Sequence, residues 1–162
     1  MNNRFDELLG RIHSIEDLGT VDLVVGLDPG KRMTGTFLVM LEPVLGIVVA
    51  DRLYNTDLKE LIWELDSISE VVMEDFRIYP WMLQALRWDY LEEVRLIGAV
   101  EEICRVKNID LVLVTPSQSK RLVEDHELLA LGTAFRNRHV SDGARAFWAA
   151  TLYEVEEKPK RG

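Results

Sequence analysis

"VVGLDPGKRMTGTFLV", Val24 to Val39, decides how this chain is read. An apolar run stops at Asp28, turns through Pro29-Gly30, and resumes after Gly35. The pattern is that of two core strands joined by a short connection, the first of which delivers a carboxylate at its end. In α/β sheets, ligands gather at such strand ends. Taken alone, Asp28 could equally be a turn residue bonding its own following amides, so its meaning depends on what else the chain places beside it.

Outward from that stretch, Val21 to Leu27, Thr36 to Leu41 and Val44 to Ala50 read as three antiparallel strands, with Glu42-Pro43 suited to a hairpin turn. Thr56 to Leu65 carries Leu58, Leu61, Ile62 and Leu65 at helical spacing. "VVMED", Val71 to Asp75, is a short strand that again closes on acids, and "DLVLVT", Asp110 to Thr115, is a fifth strand ended by Pro116. A long helix is expected from Leu83 to Lys107 and a last one from about Ser141 to Glu157. Before the first strand, Phe5, Leu8, Leu9 and Ile12 form the apolar face of a short helix. Strands in a meander, followed by strands alternating with helices, predict a three-layer α/β domain: a mixed five-stranded sheet flanked by helices on both faces. The expected division is a helical extension over residues 1–20, the domain over 21–157, and a disordered tail over 158–162.

The long helix is expected to bear two apolar stripes, Tyr90, Val94, Ile97 and Cys104 on one side and Leu96, Ala99, Ile103 and Val106 on the other. One stripe would face the sheet and the second would face another copy of the chain, making a homodimer. The alternative is a helix held between the sheet and the N-terminal segment.

Of 162 residues, 48% are apolar and 29% charged, the balance of a globular protein. Cys104 is the single cysteine, which excludes an intrachain disulfide and a cysteine-based zinc site and suits a reducing cytoplasm. No segment has the apolar length to span a bilayer, and the N-terminus lacks the continuous apolar run of a signal peptide. The formal net charge of −9 argues against a polyanion partner unless cations are gathered locally.

Two further acids are placed like Asp28. If "VVMED" lies parallel beside the first strand, Glu74 emerges at the same sheet edge. In "RNRHVSDGARAFWAA", His139, Asp142, Ala146, Ala149 and Tyr153 share one helical face, with alanines that allow close packing on the sheet. A capping role is the alternative for Asp142, with Ser141 competing for it, and a surface role for His139. Three converging carboxylates repel one another unless a cation joins them. All-oxygen ligands favour Mg²⁺ or Mn²⁺, and two such ions about 3.5–4 Å apart support in-line phosphodiester hydrolysis. His13 and His126 have no acidic partner at useful spacing and read as exposed.

"GLDPGKRMTG", "VVMEDF" and "HVSDGARAFWAA", in this order and on these elements, resemble the three acidic motifs of RuvC-type Holliday-junction resolvases of the RNase H-like superfamily, the small bacteriophage versions most of all. The resemblance runs from about Val21 to Tyr153. It implies an RNase H-like fold and a crossover junction endonuclease that acts as a homodimer on four-way DNA junctions and other branched DNA, in the cytoplasm of a bacterium or phage-infected cell. It also implies two Mg²⁺ ions held by Asp28, Glu74 and Asp142, with His139 at a variable fourth site. In the bacterial relatives an aromatic of the loop after the second motif wedges into the junction centre, a role that Phe76, Tyr79 or Trp81 could take here. Lys120, after "TPSQS", matches a stretch that carries a DNA-contacting lysine.

The charge objection is met locally. Lys31 and Arg32 follow Asp28, Arg77 follows Glu74, and Arg136, Arg138 and Arg145 surround Asp142, so a basic rim can hold a DNA backbone on an otherwise acidic protein. Two alternatives stand beside the resolvase reading: a YqgF-like RNA nuclease, and a non-catalytic DNA-binding or assembly module of the same fold. An actin-like or sugar-kinase-like ATPase would need a second such domain, for which this length leaves no room.

Overall fold

The computed structural model describes residues 3–75 and 88–153. The elements run α1 (Asn3–Glu16), β1 (Asp22–Asp28), β2 (Met33–Glu42), β3 (Gly46–Tyr54), α2 (Asn55–Glu64), β4 (Ile68–Glu74), α3 (Trp88–Lys107), β5 (Asp110–Val114), α4 (Pro116–Leu122), α5 (Asp125–Ala130) and α6 (Arg138–Leu152). One five-stranded sheet has the order β3-β2-β1-β4-β5. β1 pairs antiparallel with β2 and parallel with β4, so the sheet is mixed as expected.

The alternation of side chains along each strand sorts the core into two layers. Leu23, Val25 and Leu27 of β1, with Leu38, Val71 and Met73, face Phe5 and Ile12 of α1, Leu58, Leu61 and Ile62 of α2, and α3. On the other face Val24, Phe37, Val39 and Val72 pack against Val123, Leu128, Ala144, Ala146 and Phe147 of the α4–α6 side. These layers make the three-layer α/β architecture that the strand and helix pattern predicts.

The two stripes expected on the long helix are corrected by its packing. Leu96, Ile97, Val100 and Cys104 are all buried in one cluster, whereas Val94 and Val106 are 41% and 53% exposed. Residues 96, 97, 100, 103 and 104 follow the 3.6 period as one face; the sequence reading split that face in two and shared its members between halves. Helices α4 and α5 are additions to the expected elements. Thr115 caps α4 with a capping box: its side chain accepts from the Gln118 amide while Gln118 accepts from the Thr115 amide, with Pro116 opening the helix. At the far end of α3, Lys107 Nζ donates to the carbonyls of Ile62, Trp63 and Leu65 at 2.8, 2.6 and 2.9 Å, closing the C-terminal end of α2.

Helix α6 crosses β1 and β2 at a distance only glycine permits. A Cβ on Gly26 would stand 2.2 Å from the Gly143 carbonyl oxygen, and one on Gly35 would stand 2.1 Å from that of His139. Both obstacles are backbone and cannot rotate away. Gly26→Ala or Gly35→Ala is therefore expected to destabilise by at least about 1–3 kcal/mol, lowering Tm by about 2–4 °C per kcal/mol at this chain length. Gly98→Ala, on the exposed side of α3 with nothing within 4 Å of its Cβ, is the control and should gain about 1 kcal/mol of helix propensity. Thermal melts of the three variants check the contrast.

Candidate active site

The parallel register of β1 and β4 places Leu27 opposite Met73, so Asp28 and Glu74 are the next residues along and leave the sheet side by side. β4 in turn pairs Glu74 with Val114 of β5, whose continuation opens α4 and Lys120. The third acid comes from across the sheet. Helix α6 begins at Arg138, earlier than the expected Ser141, because Asn137 is its cap: the Asn137 side chain accepts from the amides of His139 and Val140. Ser141 instead bonds both the amide and the carbonyl of Phe135. Neither Ser141 nor Asp142 caps the helix, and His139 and Asp142 lie one turn apart on the end of α6 that passes over Gly35.

His139 Nδ1 lies 2.7 Å from Asp28 Oδ2, although 111 residues separate the two. Burial, more than any other factor, pushes the Asp28 carboxyl above its ordinary value; the bond to His139 opposes the shift and the Asp142 carboxylate adds to it. Glu74 is pushed up to about 8, first by burial, then by Asp28 and Asp142, with Lys120 and Arg145 working in the opposite direction. Glu74 is thus the group on which the other two acids and the two cations act together. Among the described residues no three His, Cys, Asp or Glu side chains converge closely enough to hold an ion without rearrangement; Asp28 keeps one oxygen on His139. The donor set is oxygen-rich, and the unfavourable ionisation of Glu74 is what a divalent cation relieves, so by chemistry the residues fit Mg²⁺ or Mn²⁺.

Beside Asp142 opens a recess of ≈ 800 Å³ lined by Lys120, Phe135, Arg136, Arg138 and Arg145 among others. Lys120, Arg136 and Arg138 are exposed cations on its wall. On the other side of Asp28, the loop bearing exposed Lys31 and Arg32 is pinned by Asn55, whose Nδ2 donates to the carbonyls of Gly30 and Lys31 at 2.9 and 3.1 Å and whose Oδ1 accepts from Thr34. Arg145 departs from the expected rim: its side chain is 7% exposed and belongs to the interior.

A further acid, absent from the sequence reading, is Glu93 on α3. Burial raises its carboxyl and so does Asp28, against Lys31 and His139. Its helical phase with Leu96, Ile97 and Val100 was the available signal. His13 and His126 each do have an acid nearby, Glu16 at 2.9 Å and Glu124 at 3.2 Å, and the second pair lines the recess beside Asp142. Asp75 is buried beside the site, its amide donating to the Val114 carbonyl. Phe76, Arg77, Tyr79 and Trp81 lie outside the described residues.

No family model and no curated protein matches the chain. Among solved structures, Thermus thermophilus RuvC in complex with a Holliday junction substrate is similar over 80% of this chain and 96% of that one, with a TM-score of 0.60 and 16% identity. A second T. thermophilus RuvC structure gives the same coverage and identity at a TM-score of 0.56. At such identity the likeness is one of fold, and this chain has the RNase H-like fold of RuvC. Among the described residues no helix is long and apolar enough to cross a membrane.

The Glu74 shift has a consequence for stability. A carboxyl whose folded value lies above its ordinary 4.5 binds its proton more tightly in the folded chain. Its contribution is thus full below about pH 4.5 and lost as pH rises to about 8. In EDTA, the Tm of the wild type should fall between pH 5 and 8 by several degrees more than that of Glu74→Gln, which has no proton to lose; at about 2–4 °C per kcal/mol the difference is readily measured. Parallel melting curves across this range would contradict the assignment.

Proposed function

We propose that this chain is a divalent-metal-dependent endonuclease for branched DNA, four-way junctions foremost, acting in the cytoplasm of a bacterium or phage-infected cell. The observation that supports the reading is that Asp28 and Glu74 end adjacent parallel strands while α6 brings His139 onto Asp28, with Asp142 one turn further along the helix. A pair of bound Mg²⁺ or Mn²⁺ ions supplies an activated water and a stabilised leaving oxygen for phosphodiester hydrolysis. Asp28, Glu74 and Asp142 are the residues to hold them, after side-chain rotation, with His139 as a fourth ligand. Until then the His139 bond orients Asp28.

The likeness of fold to a RuvC seen with a Holliday junction supports the choice of substrate class. Lys120, Arg136 and Arg138 line a recess that opens beside Asp142, where they can take backbone phosphates; Lys31 and Arg32 flank the other side. With so few cations on a chain of net charge −9, affinity for DNA should be steeply salt-dependent. Paired incision of a four-way junction needs two such sites, which motivates a homodimer; among the described residues of α3, Val94 and Val106 are exposed apolar side chains.

Cleavage of a labelled synthetic four-way junction in Mg²⁺, with linear duplex as control, tests the reading. The wild type should nick the junction, and Asp28→Asn, Glu74→Gln and Asp142→Asn should each lose more than the roughly 10–100-fold typical of losing a supporting residue, while still binding the junction in Ca²⁺. His139→Ala should lose less. A protein that binds the junction equally in Mg²⁺ and EDTA and never nicks it is a binding module instead, and preferential cutting of RNA points to the YqgF-like alternative.

A further inference from the structure

Arg145 stands three residues after Asp142 on α6 and is buried, with 7% of its side chain exposed. A guanidinium removed from water needs its donors answered. Nη1 donates to the Val123 carbonyl, at the end of α4, and Nη2 to Asp125 Oδ1, at the start of α5. Nε has no hydrogen-bond partner and faces Asp142 Oδ1 at 3.5 Å. That distance is too long for a good hydrogen bond yet close enough for a strong charge interaction in a buried setting. An apolar side chain would fill the same volume without an unanswered donor, so packing gives no reason for the arginine.

We propose that Arg145 is the resident counter-ion of the acidic edge. It is a positioning residue: it balances the charge of Asp142 when no divalent cation is bound, and it ties the Asp142 turn of α6 to the α4–α5 segment that carries Lys120. The inference rests on the metal-dependent reading above. A simple clamp between helices would use the Val123 and Asp125 bonds alone; the counter-ion role adds a coupling between Arg145 and the metal, because both neutralise Asp142. Among the described residues, the charged and titratable groups about the guanidinium are Asp125, Asp142, Glu74 on β4, and Glu124, His126, Lys120, Arg136 and Arg138 at the recess.

The test compares thermal melts of the wild type, Arg145→Gln and Arg145→Lys in EDTA and in millimolar Mg²⁺, with Mg²⁺ affinity measured by calorimetry. The Mg²⁺-induced rise in Tm should be larger in Arg145→Gln than in the wild type, and its Mg²⁺ affinity tighter by on the order of tenfold, since a repelling charge has gone. Arg145→Lys keeps the charge and loses the forked bonds, so it should melt lower in both media while keeping the wild-type rise. An equal or smaller rise in Arg145→Gln, or an enlarged rise in Arg145→Lys, overturns the counter-ion role and leaves a clamp. If Arg145→Gln does not fold, Arg145→Met, which also removes the charge, takes its place in the same comparison. A wild type that shows no rise at all overturns the metal-dependent reading, and the inference with it.

Discussion

Backbone lies directly on backbone where α6 crosses the sheet, and the arrangement of acids depends on that contact. Gly26 of β1, Gly35 of β2 and Gly143 of α6 meet with no side chain between them; a Cβ on Gly143 would itself stand 3.0 Å from the carbonyl oxygens of Gly26 and Gly35. Helix and sheet normally stand apart by the thickness of two side-chain layers, which would hold Asp142 and His139 well away from the strand ends. Here the helix sits low enough for His139 to reach Asp28. Ala144, Ala146 and Ala149, all fully buried, extend the close approach along the helix, and Phe147 anchors it against Phe37 with ring centroids 5.5 Å apart.

Close packing of this kind concentrates charge. Burial is the largest cause that raises the carboxyls of Asp28 and Glu74; Asp142 adds to both, and Asp28 adds to Glu74. The fold offsets part of this with groups from separate elements: His139 and Arg145 from α6 and Lys120 from α4. None of these groups lies on the strand of Asp28 or of Glu74, so for those two acids the balance exists only in the folded chain. A site that is unfavourable to ionise in isolation is also one primed for a divalent cation, which gains there what the side chains alone do not supply.

The sequence made two of the three acids legible for a simple reason. Val71–Glu74 and Val24–Asp28 are apolar runs that stop on a carboxylate, and the mixed strand-then-helix order implies the parallel pairing that sets them side by side. Asp142 was legible through its small-residue helix, although the start of α6 was not, since Asn137 and Ser141 are both good caps and only the fold shows that Ser141 is occupied by Phe135. Helices α4 and α5, with seven and six residues, are too short to display a helical period; the Thr115-Pro116-Ser117-Gln118 capping box was the signal that could have found the first. The burial of Arg145 was not legible at all, because an arginine in a run with Arg136 and Arg138 reads as surface, and its environment is made by a segment some twenty residues away.

By lying on Gly26 and Gly35, α6 brings Asp142 to the carboxylate site proposed for divalent metal. Crystals soaked in Mn²⁺ and measured at an anomalous wavelength test it most directly. Manganese peaks are expected within metal–oxygen bonding distance of carboxylate oxygens from Asp28, Glu74 and Asp142 together. Ordered manganese bound only elsewhere on the surface, with these three carboxylates unliganded, would contradict it.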